Sequence, residues 1–163
     1  MTEATAPEKY GGALHGPISV RLWLRLLSCT TVVEKRLRRG FADHYGTTLP
    51  RFDVMAALDR KPDGLAMGEL SQLLLVSNGN VTGVVRQLQK DGLVKVETAP
   101  GDRRSYIVAL TPAGAEQFAV LATAHHQWVE QMLGAVPDAD KARLLELLTL
   151  VKRSISDSVE GRQ

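Results

Sequence analysis

The sequence predicts a mainly α-helical fold that contains a single β-hairpin. Four segments with helical apolar spacing fill residues 18–90, and two short β-branched segments around a Pro-Gly turn follow them. Two more helical segments complete the chain. Two short helices joined by a tight connection and followed by a hairpin are the layout of a winged helix–turn–helix. The predicted organisation is a flexible tail at 1–17, a first helix at 18–46, the winged helix–turn–helix at 47–110, and C-terminal helices at 111–163.

The first predicted helix runs from Ile18 to about Tyr45. Gly46 follows the pattern as a stop, because glycine tolerates the left-handed conformation that ends many helices. The residues that recur every three or four positions along this segment are apolar, with the exception of one threonine. They are Trp23, Leu26, Leu27, Thr30, Val33, Leu37 and Phe41.

The second and third predicted helices are shorter. The second opens at Leu49-Pro50, since proline suits the first turn of a helix, and a turn cluster at 61–64 follows it. Its buried side consists of Phe52, Val54, Met55 and Leu58. The third covers about Met67 to Leu74. The leucines predicted to point inward from it are Leu70, Leu73 and Leu74.

The fourth predicted helix combines an apolar side with a small polar start. Ser77 is a good N-cap because its hydroxyl can accept a hydrogen bond from a free amide two or three residues on. Residues 78–80 carry neither charge nor bulk, and Asp91-Gly92 ends the helix. The apolar side consists of Val81, Val84, Val85 and Leu88.

The spacing of apolar residues changes after residue 92. Segments 93–97 and 106–110 are short, β-branched and apolar, and the turn between them makes a β-hairpin. Thr111-Pro112 resembles an N-cap followed by proline at the first helical position, and it starts a long fifth helix. Pro137-Asp138 breaks that helix and caps the last one, which continues through Ile155.

The composition limits the class of protein. Of the 163 residues 44% are hydrophobic, which is enough for a core, and the formal net charge is only +2. No run approaches ~18 apolar residues, and the N-terminal MTEATAPEKYGG lacks the pattern of a secretory signal. We therefore predict a cytoplasmic protein without a membrane span. A single cysteine excludes an internal disulfide and a cysteine-based zinc site.

Sequence signatures of an enzyme are absent. The chain has no Gly-rich phosphate loop, no nucleophile elbow and no His-Glu-x-x-His segment. His125 and His126 are adjacent, and neighbouring side chains on a helix point about 100° apart, so the pair does not readily share one metal ion. We predict no enzymatic activity, no cofactor and no metal site.

The polar start of the fourth helix suits contact with DNA. The major groove of B-DNA admits one α-helix whose first residues approach the base edges, and small side chains let the backbone come close. An ordinary loop with a helix cap is the alternative interpretation. The residues predicted to face DNA are Asn78, Asn80, Thr82, Arg86, Gln87 and Lys90.

The tip of the hairpin carries charges that a plain turn does not need. Arg103 and Arg104 lie there, and an arginine on a protruding loop can enter a minor groove, attracted by its negative potential. Asp102 is predicted to brace an arginine, because DNA phosphates repel a carboxylate. A solvated charged turn is the alternative interpretation.

Residues 49–114 resemble the MarR family of bacterial transcription regulators. The resemblance is carried by Glu69-Leu70-Ser71, Asn80-Val81-Thr82, Leu88, Asp91-Gly92-Leu93-Val94, Asp102-Arg103-Arg104 and Leu110-Thr111-Pro112-Ala113-Gly114. The family implies a homodimer with interlocked terminal helices, which binds a near-palindromic operator in consecutive major-groove turns. By position, Asn78, Asn80, Thr82, Arg86 and Gln87 would face the major groove and Arg104 the minor groove.

Gly83 departs from this family pattern. Many members carry a longer, often basic, side chain at the equivalent position, so a contact to a phosphate or a base is missing here. Arg86 and Lys90 therefore carry more of the predicted DNA contact.

The last helix fits dimerisation independently of the resemblance. Its apolar residues cover so much of the circumference that we predict it to be buried. Packing within one chain is the alternative to packing between two subunits. The apolar stripe consists of Leu144, Leu148, Val151 and Ile155, widened by Leu145, Leu147 and Leu150.

The region from Arg21 to Arg51 is basic and has aromatic residues nearby. It holds seven basic and two acidic residues, an excess larger than the net charge of the whole chain. An aromatic cavity edged by arginines suits an effector with one aromatic and one anionic end. A solvated face, or one that steers DNA phosphates, is the alternative. The predicted ligand-binding residues are Trp23, Arg36, Arg38, Arg39, Phe41, His44, Tyr45 and Phe52.

Two effector classes fit this region equally well. One is a free aromatic acid, and the other is an aromatic acyl-CoA thioester, whose phosphates would pair with several arginines. The Arg-Leu-Trp-Leu-Arg-Leu-Leu opening of the first helix resembles relatives that control aromatic-acid degradation. The sequence therefore predicts a repressor that such a compound releases from its operator.

Two further functions compete with this prediction. Cys29 is a candidate redox sensor. It lies between Leu27 and Val32 on an apolar helix, however, so a buried structural cysteine is favoured. A winged domain that binds protein partners without touching DNA would have the same fold.

Overall fold

The computed structural model of the chain describes residues 16–99 and 102–160, with the side chains of all of these except 102–104 and 159–160. The chain divides into two compact units, Met1–Gln127 and Trp128–Gln163. Among the described helices, none has an apolar stretch long enough to traverse a lipid bilayer.

The described residues form six helices and three short strands, which confirms the predicted mainly α fold with a small hairpin wing. In chain order the elements are α1 Ile18–Tyr45, α2 Leu49–Asp59, β1 Leu65–Ala66, α3 Met67–Leu74, α4 Asn78–Lys90, β2 Val94–Ala99, β3 Asp102–Leu110, α5 Pro112–Leu133 and α6 Asp138–Glu160. The last helix is five residues longer than the predicted end at Ile155.

Helix α1 is buried only in its C-terminal two thirds. Ser28, Leu37 and Phe41 are its buried residues, whereas Trp23 near the N-terminus leaves 58% of its surface exposed. The predicted stop at Gly46 is confirmed, since this glycine has φ 58° and the helix ends there. The α1 pattern is therefore a buried stripe in one part and an uncovered apolar face in the other.

The helix–turn–helix consists of α2, α3 and α4, which all contact one another. Val81, Val85 and Leu88 form the buried side of α4, as predicted, whereas Val84, predicted with them, is half-buried. Of the three α3 leucines, Leu70 is buried but Leu73 is exposed, which corrects the prediction. Leu73 lines an open cleft between α2 and α3, where solvent reaches its side chain.

The turn between α3 and α4 has an unusual residue at its centre. Leu75 has φ 54°, and its side chain is 92% exposed. Ser77 occupies the predicted N-cap position of α4, but its hydroxyl makes no capping bond. Its backbone carbonyl instead accepts hydrogen bonds from the amides of Asn80 and Val81. The predicted Ser77 side-chain cap is therefore wrong.

The wing is a three-stranded antiparallel sheet in the order β1-β3-β2. Val94 pairs with Leu110 at the base of the hairpin, and Leu65 of β1 pairs with Val108. The sequence does not predict β1, because two residues carry no periodicity. Gly64 precedes it with φ 86°, in a conformation that favours glycine.

The start of α5 is fastened to the turn that leaves α4. The hydroxyl of Thr111 donates to the Gly92 carbonyl at 2.7 Å and accepts from the Gly114 amide at 3.0 Å, which confirms the predicted cap. A Cβ built at Gly114 would overlap the carbonyl oxygen of Leu93. The glycine therefore permits a close approach of α5 to the beginning of β2.

Candidate nucleic-acid interface

Helix α4 has one side in the core and one side in solvent. Opposite its buried valines and leucine, the structure places five of the six residues predicted to read DNA in exposed positions. These are Asn78, Asn80, Arg86, Gln87 and Lys90, and the sixth, Thr82, is half-buried. Arg86 and Lys90 form no ion pair with any other described residue. Their positive charges are available to an external partner.

Thr82 has less free hydrogen-bonding capacity than the other candidates. Its hydroxyl donates to the Asn78 carbonyl at 2.8 Å, so only its oxygen lone pairs remain for an outside donor. The asparagine and glutamine side chains of this surface keep both donors and acceptors. A two-pronged contact to adenine therefore suits Asn78, Asn80 or Gln87 and does not suit Thr82.

Two glycines leave parts of the outer surface of α4 without side chains. A Cβ at Gly79 or Gly83 would meet no heavy atom within 4 Å, and neither residue has a positive φ. Neither the fold nor the backbone conformation therefore requires glycine here. Glycine costs about 0.5–1 kcal/mol relative to alanine inside a helix. A partner surface that approaches the α4 backbone closely would offset this cost, because a glycine leaves room for it.

The hairpin places its charged residues at the far end of the wing. Asp102 opens β3 opposite Ala99 of β2. The side chains of Asp102, Arg103 and Arg104 lie outside the described ones. Their assignment to minor-groove contact and to wing bracing remains a prediction.

One ion pair that the sequence does not predict fastens the end of α4. The guanidinium of Arg51 in α2 donates to the carboxylate of Asp91 at 2.6 Å, and the side chains are 15% and 48% exposed. The buried Nε of Arg51 has no hydrogen-bond partner among the described residues. The two residues are 40 positions apart, so no local sequence pattern indicates the contact.

The structure does not gather the eight predicted ligand-binding residues around one cavity. Phe41 and Phe52 are buried, with ring centroids 4.8 Å apart, and His125 of α5 stacks on Phe52 at 4.7 Å. Trp23 and Tyr45 are exposed. At the helical rise of about 1.5 Å per residue, they lie about 33 Å apart along α1. Phe41 and Phe52 therefore belong to a filled aromatic stack, to which α5 supplies a third ring.

The basic residues of this prediction lie on the outside of α1. Arg36, Arg38, Arg39 and His44 are all exposed. Arg38 pairs with Glu34 at 3.4 Å and Arg39 with Asp43 at 3.2 Å, so part of the positive charge is balanced locally. An anionic ligand would have to compete with these two carboxylates.

The surroundings of His125 disfavour the charged form of its imidazole. Burial between the aromatic rings lowers the pKa of its imidazole, and the adjacent His126 lowers it further. Within the described residues, no group of three or more His, Cys, Asp or Glu is arranged to hold a metal ion.

Cys29 is exposed, whereas the sequence favours a buried cysteine. The neighbouring Ser28 takes the buried position on α1 and donates to the Leu24 carbonyl at 2.9 Å. The one-residue difference follows from the helical rotation of 100° per residue.

Comparison with known proteins gives one consistent family. A MarR family model matches residues 45–105. The transcriptional activatory protein BadR of Rhodopseudomonas palustris is 35% identical over 104 residues, which are 63% of this chain and 59%, less than two thirds, of BadR.

Solved structures agree with this comparison. Sco3205, a MarR family transcriptional regulator of Streptomyces coelicolor crystallised in complex with DNA, shares the fold with a TM-score of 0.76 at 21% identity, over 86% of this chain and 91% of that chain. The crystal structure of a MarR family transcriptional regulator from Silicibacter pomeroyi is 38% identical, with a TM-score of 0.72, over 84% of this chain and 94% of that chain. Because this relative is matched over nearly its whole length, the chain belongs to the MarR family of DNA-binding transcriptional regulators.

Proposed function

We propose that the protein is a dimeric, ligand-responsive repressor that inserts α4 into the major groove of a near-palindromic operator. The outer surface of α4 is the observation that carries the proposal. It combines two glycines that leave open space with exposed Asn78, Asn80, Arg86, Gln87 and Lys90. A helix with this surface lets its backbone approach base edges while its side chains donate to bases and phosphates.

The contacts divide by chemistry. Arg86 is suited to guanine and the amide side chains to adenine, whereas Lys90 at the end of α4 is suited to a phosphate. Arg103 and Arg104 of the wing are proposed to follow the backbone into the neighbouring minor groove, with Asp102 bracing one of them. The Arg51–Asp91 pair would hold α4 at a fixed angle to the wing.

Dimerisation is supported by the apolar surface of α6. None of the described residues of this helix is fully buried, although Leu144, Leu145, Leu147, Leu150 and Ile155 are large and apolar. Leucine stripes of this size are seldom left in water by a soluble protein. A second copy of the chain would cover them. The apolar start of α1 is also uncovered and offers a second surface to a partner.

An aromatic acid or an aromatic acyl-CoA thioester remains the proposed effector. The exposed arginines of α1 support this proposal, since they offer several donors to an anion. Trp23, His44 and Tyr45 supply ring surface at the two ends of this helix. Because α1 alone forms no enclosed aromatic cavity, such a site would need a second copy of the chain to complete it.

Activation is a second candidate for the mode of action. The similarity to BadR, which is described as a transcriptional activatory protein, favours it. Repression and activation use the same DNA contacts, so the position of the operator relative to the promoter decides between them.

Selection of bound sequences from random DNA, followed by affinity measurements, tests the proposal. Arg86→Ala should weaken operator binding by about 1–3 kcal/mol, which is roughly 5- to 150-fold, and relax selectivity at one base pair. Arg153→Ala is the matched control, because it removes the same charge from α6 and should change affinity only slightly. Recovery of no selective sequence, or equal affinity of Arg86→Ala and wild type, contradicts the proposal and favours a protein-binding winged domain.

A further inference from the structure

A cleft between α2 and α3 is separate from the outer surface of α4. Its volume is about 290 Å³. This lies at the lower end of the ~300–1,000 Å³ typical of small-molecule sites. The residues that line it are Asp53, Ala56, Ala57, Arg60, Lys61, Leu73 and Leu74.

One row of α2 side chains forms one wall of the cleft. Asp53, Ala56 and Ala57 follow the spacing of three and four positions that places side chains on one face of α2, and Arg60 and Lys61 come directly after the end of this helix. Ala56 and Ala57 lie in the middle of the row, where their short side chains leave the cleft open. Leu73 and Leu74 at the end of α3 form the opposite, apolar wall.

Asp53 is a half-buried acid at one end of the row. Its carboxylate forms no hydrogen bond and no ion pair with any other described residue. Burial raises its pKa from 3.8 to about 6, while Arg38 lowers it and Glu34 raises it. At neutral pH the group is therefore mostly charged and only partly hydrated. A partly buried carboxylate without a donor is unfavourable, so a ligand cation placed there would be strongly favoured.

Two cations stand at the other end of the same row. Arg60 and Lys61 are exposed and form no ion pair within the described part of the chain. Seven residues separate Asp53 from Arg60, which is about 10 Å along the helix axis. The cleft thus offers a negative end, an apolar middle and a positive end.

We propose that this cleft binds a small zwitterion whose ammonium and carboxylate groups stand at opposite ends of an apolar spacer. The ammonium pairs with Asp53, the carboxylate pairs with Arg60 and Lys61, and the spacer packs on the two alanines and the two leucines. The volume excludes an entire acyl-CoA, so this ligand class differs from the effector proposed for α1.

Such a ligand would act on the DNA-reading surface. Helix α3 contacts both α2 and α4, so a molecule wedged between α2 and α3 fixes the position of α3 and hence the support of α4. A ligand that prefers one spacing of these helices shifts the population toward it. Operator affinity should change when the cleft is filled.

Three probes of matched size test the proposal on the full-length protein by isothermal titration. They are 4-(aminomethyl)benzoate, 4-methylbenzoate, which lacks the ammonium, and 4-methylbenzylamine, which lacks the carboxylate. The first should bind at least about tenfold more tightly than either of the others, the ratio expected for one charge-assisted hydrogen bond. Equal affinities, or no saturable binding of the first probe, overturn the proposal.

Variants locate the binding. Asp53→Asn should weaken 4-(aminomethyl)benzoate by about tenfold and leave 4-methylbenzoate unchanged. Asp59→Asn makes the same change on the same helix outside the cleft and should bind as wild type. Ala57→Leu should abolish binding of all probes while thermal unfolding shows an intact fold. Unchanged binding to Ala57→Leu or Asp53→Asn places the ligand elsewhere and refutes the inference, whatever the outcome of the DNA experiments.

Discussion

The Arg51–Asp91 ion pair leads to a prediction about which partner matters more. Asp91→Ala removes the carboxylate and leaves the Arg51 side chain, which is only 15% exposed, without its counter-ion. Arg51→Met removes the cation, fills the same space with an apolar chain and releases a carboxylate that is already 48% exposed. The two deletions break one contact but leave different groups behind.

The unequal burial sets the two magnitudes. Asp91→Ala should lower the free energy of unfolding by about 2–3 kcal/mol, since a short charge-assisted hydrogen bond is lost and a mostly buried cation is left unpaired. Arg51→Met should cost less than about 1 kcal/mol, because no buried charge remains. The double variant should resemble Arg51→Met, so the coupling energy should equal the cost of Asp91→Ala, about 2–3 kcal/mol.

Urea unfolding at fixed protein concentration, followed by the loss of helical circular dichroism, measures these differences. Arg39→Met is the control, because it breaks the Arg39–Asp43 pair, whose side chains are 84% and 56% exposed. It should change stability by less than about 0.5 kcal/mol. A cost of Arg51→Met that equals or exceeds that of Asp91→Ala would refute the reasoning from burial.

Four further substitutions give measurable outcomes. The stability of Asp53→Asn relative to wild type should increase as pH rises from 4 to about 6. Burial, modified by Arg38 and Glu34, raises the pKa of the folded-state carboxyl from 3.8 to about 6, so ionisation in this range destabilises only the wild type. In urea titrations, an advantage of the variant that grows toward low pH would contradict this. Gly114→Ala should lower the free energy of unfolding by about 1–3 kcal/mol, because the new Cβ overlaps Leu93. Gly83→Ala, whose Cβ would face open space, should raise it by about 0.5–1 kcal/mol in the absence of DNA. Thermal melts that rank the two variants in the opposite order would contradict both expectations. Leu75→Gly should raise the free energy of unfolding by roughly 0.5–1 kcal/mol in the same melts, because glycine adopts the positive φ at this position without a steric penalty. A loss of stability would show that Leu75 is not strained.

Local signals in the sequence predict most of the fold. The bounds of α1, α3 and α4 follow from apolar spacing and from glycines such as Gly46, which adopts the left-handed conformation without a steric penalty. Thr111 caps α5 as predicted, because a cap depends on three or four consecutive residues. These features require no knowledge of the rest of the chain.

Contacts between distant segments are not predictable in this way. The Arg51–Asp91 pair, the short β1 strand and the stacking of His125 on Phe52 each join residues that no local spacing relates. Phe41 and Phe52 are aromatic in sequence whether they line a cavity or fill a core, and only the approach of α5 decides between these. Cys29 differs from the expected burial by one helical step, which apolar spacing cannot resolve.

The composition of α4 determines how firmly this helix holds its shape. It contains two glycines and two asparagines among thirteen residues and has no side-chain cap, so its intrinsic tendency to be helical is low. Its order depends on Val81, Val85 and Leu88, which pack only on its inner side. The amides of its first turns should therefore exchange hydrogen with solvent quickly in the free protein and slowly on an operator. Binding to an operator would then order a segment of α4 that otherwise opens and closes rapidly.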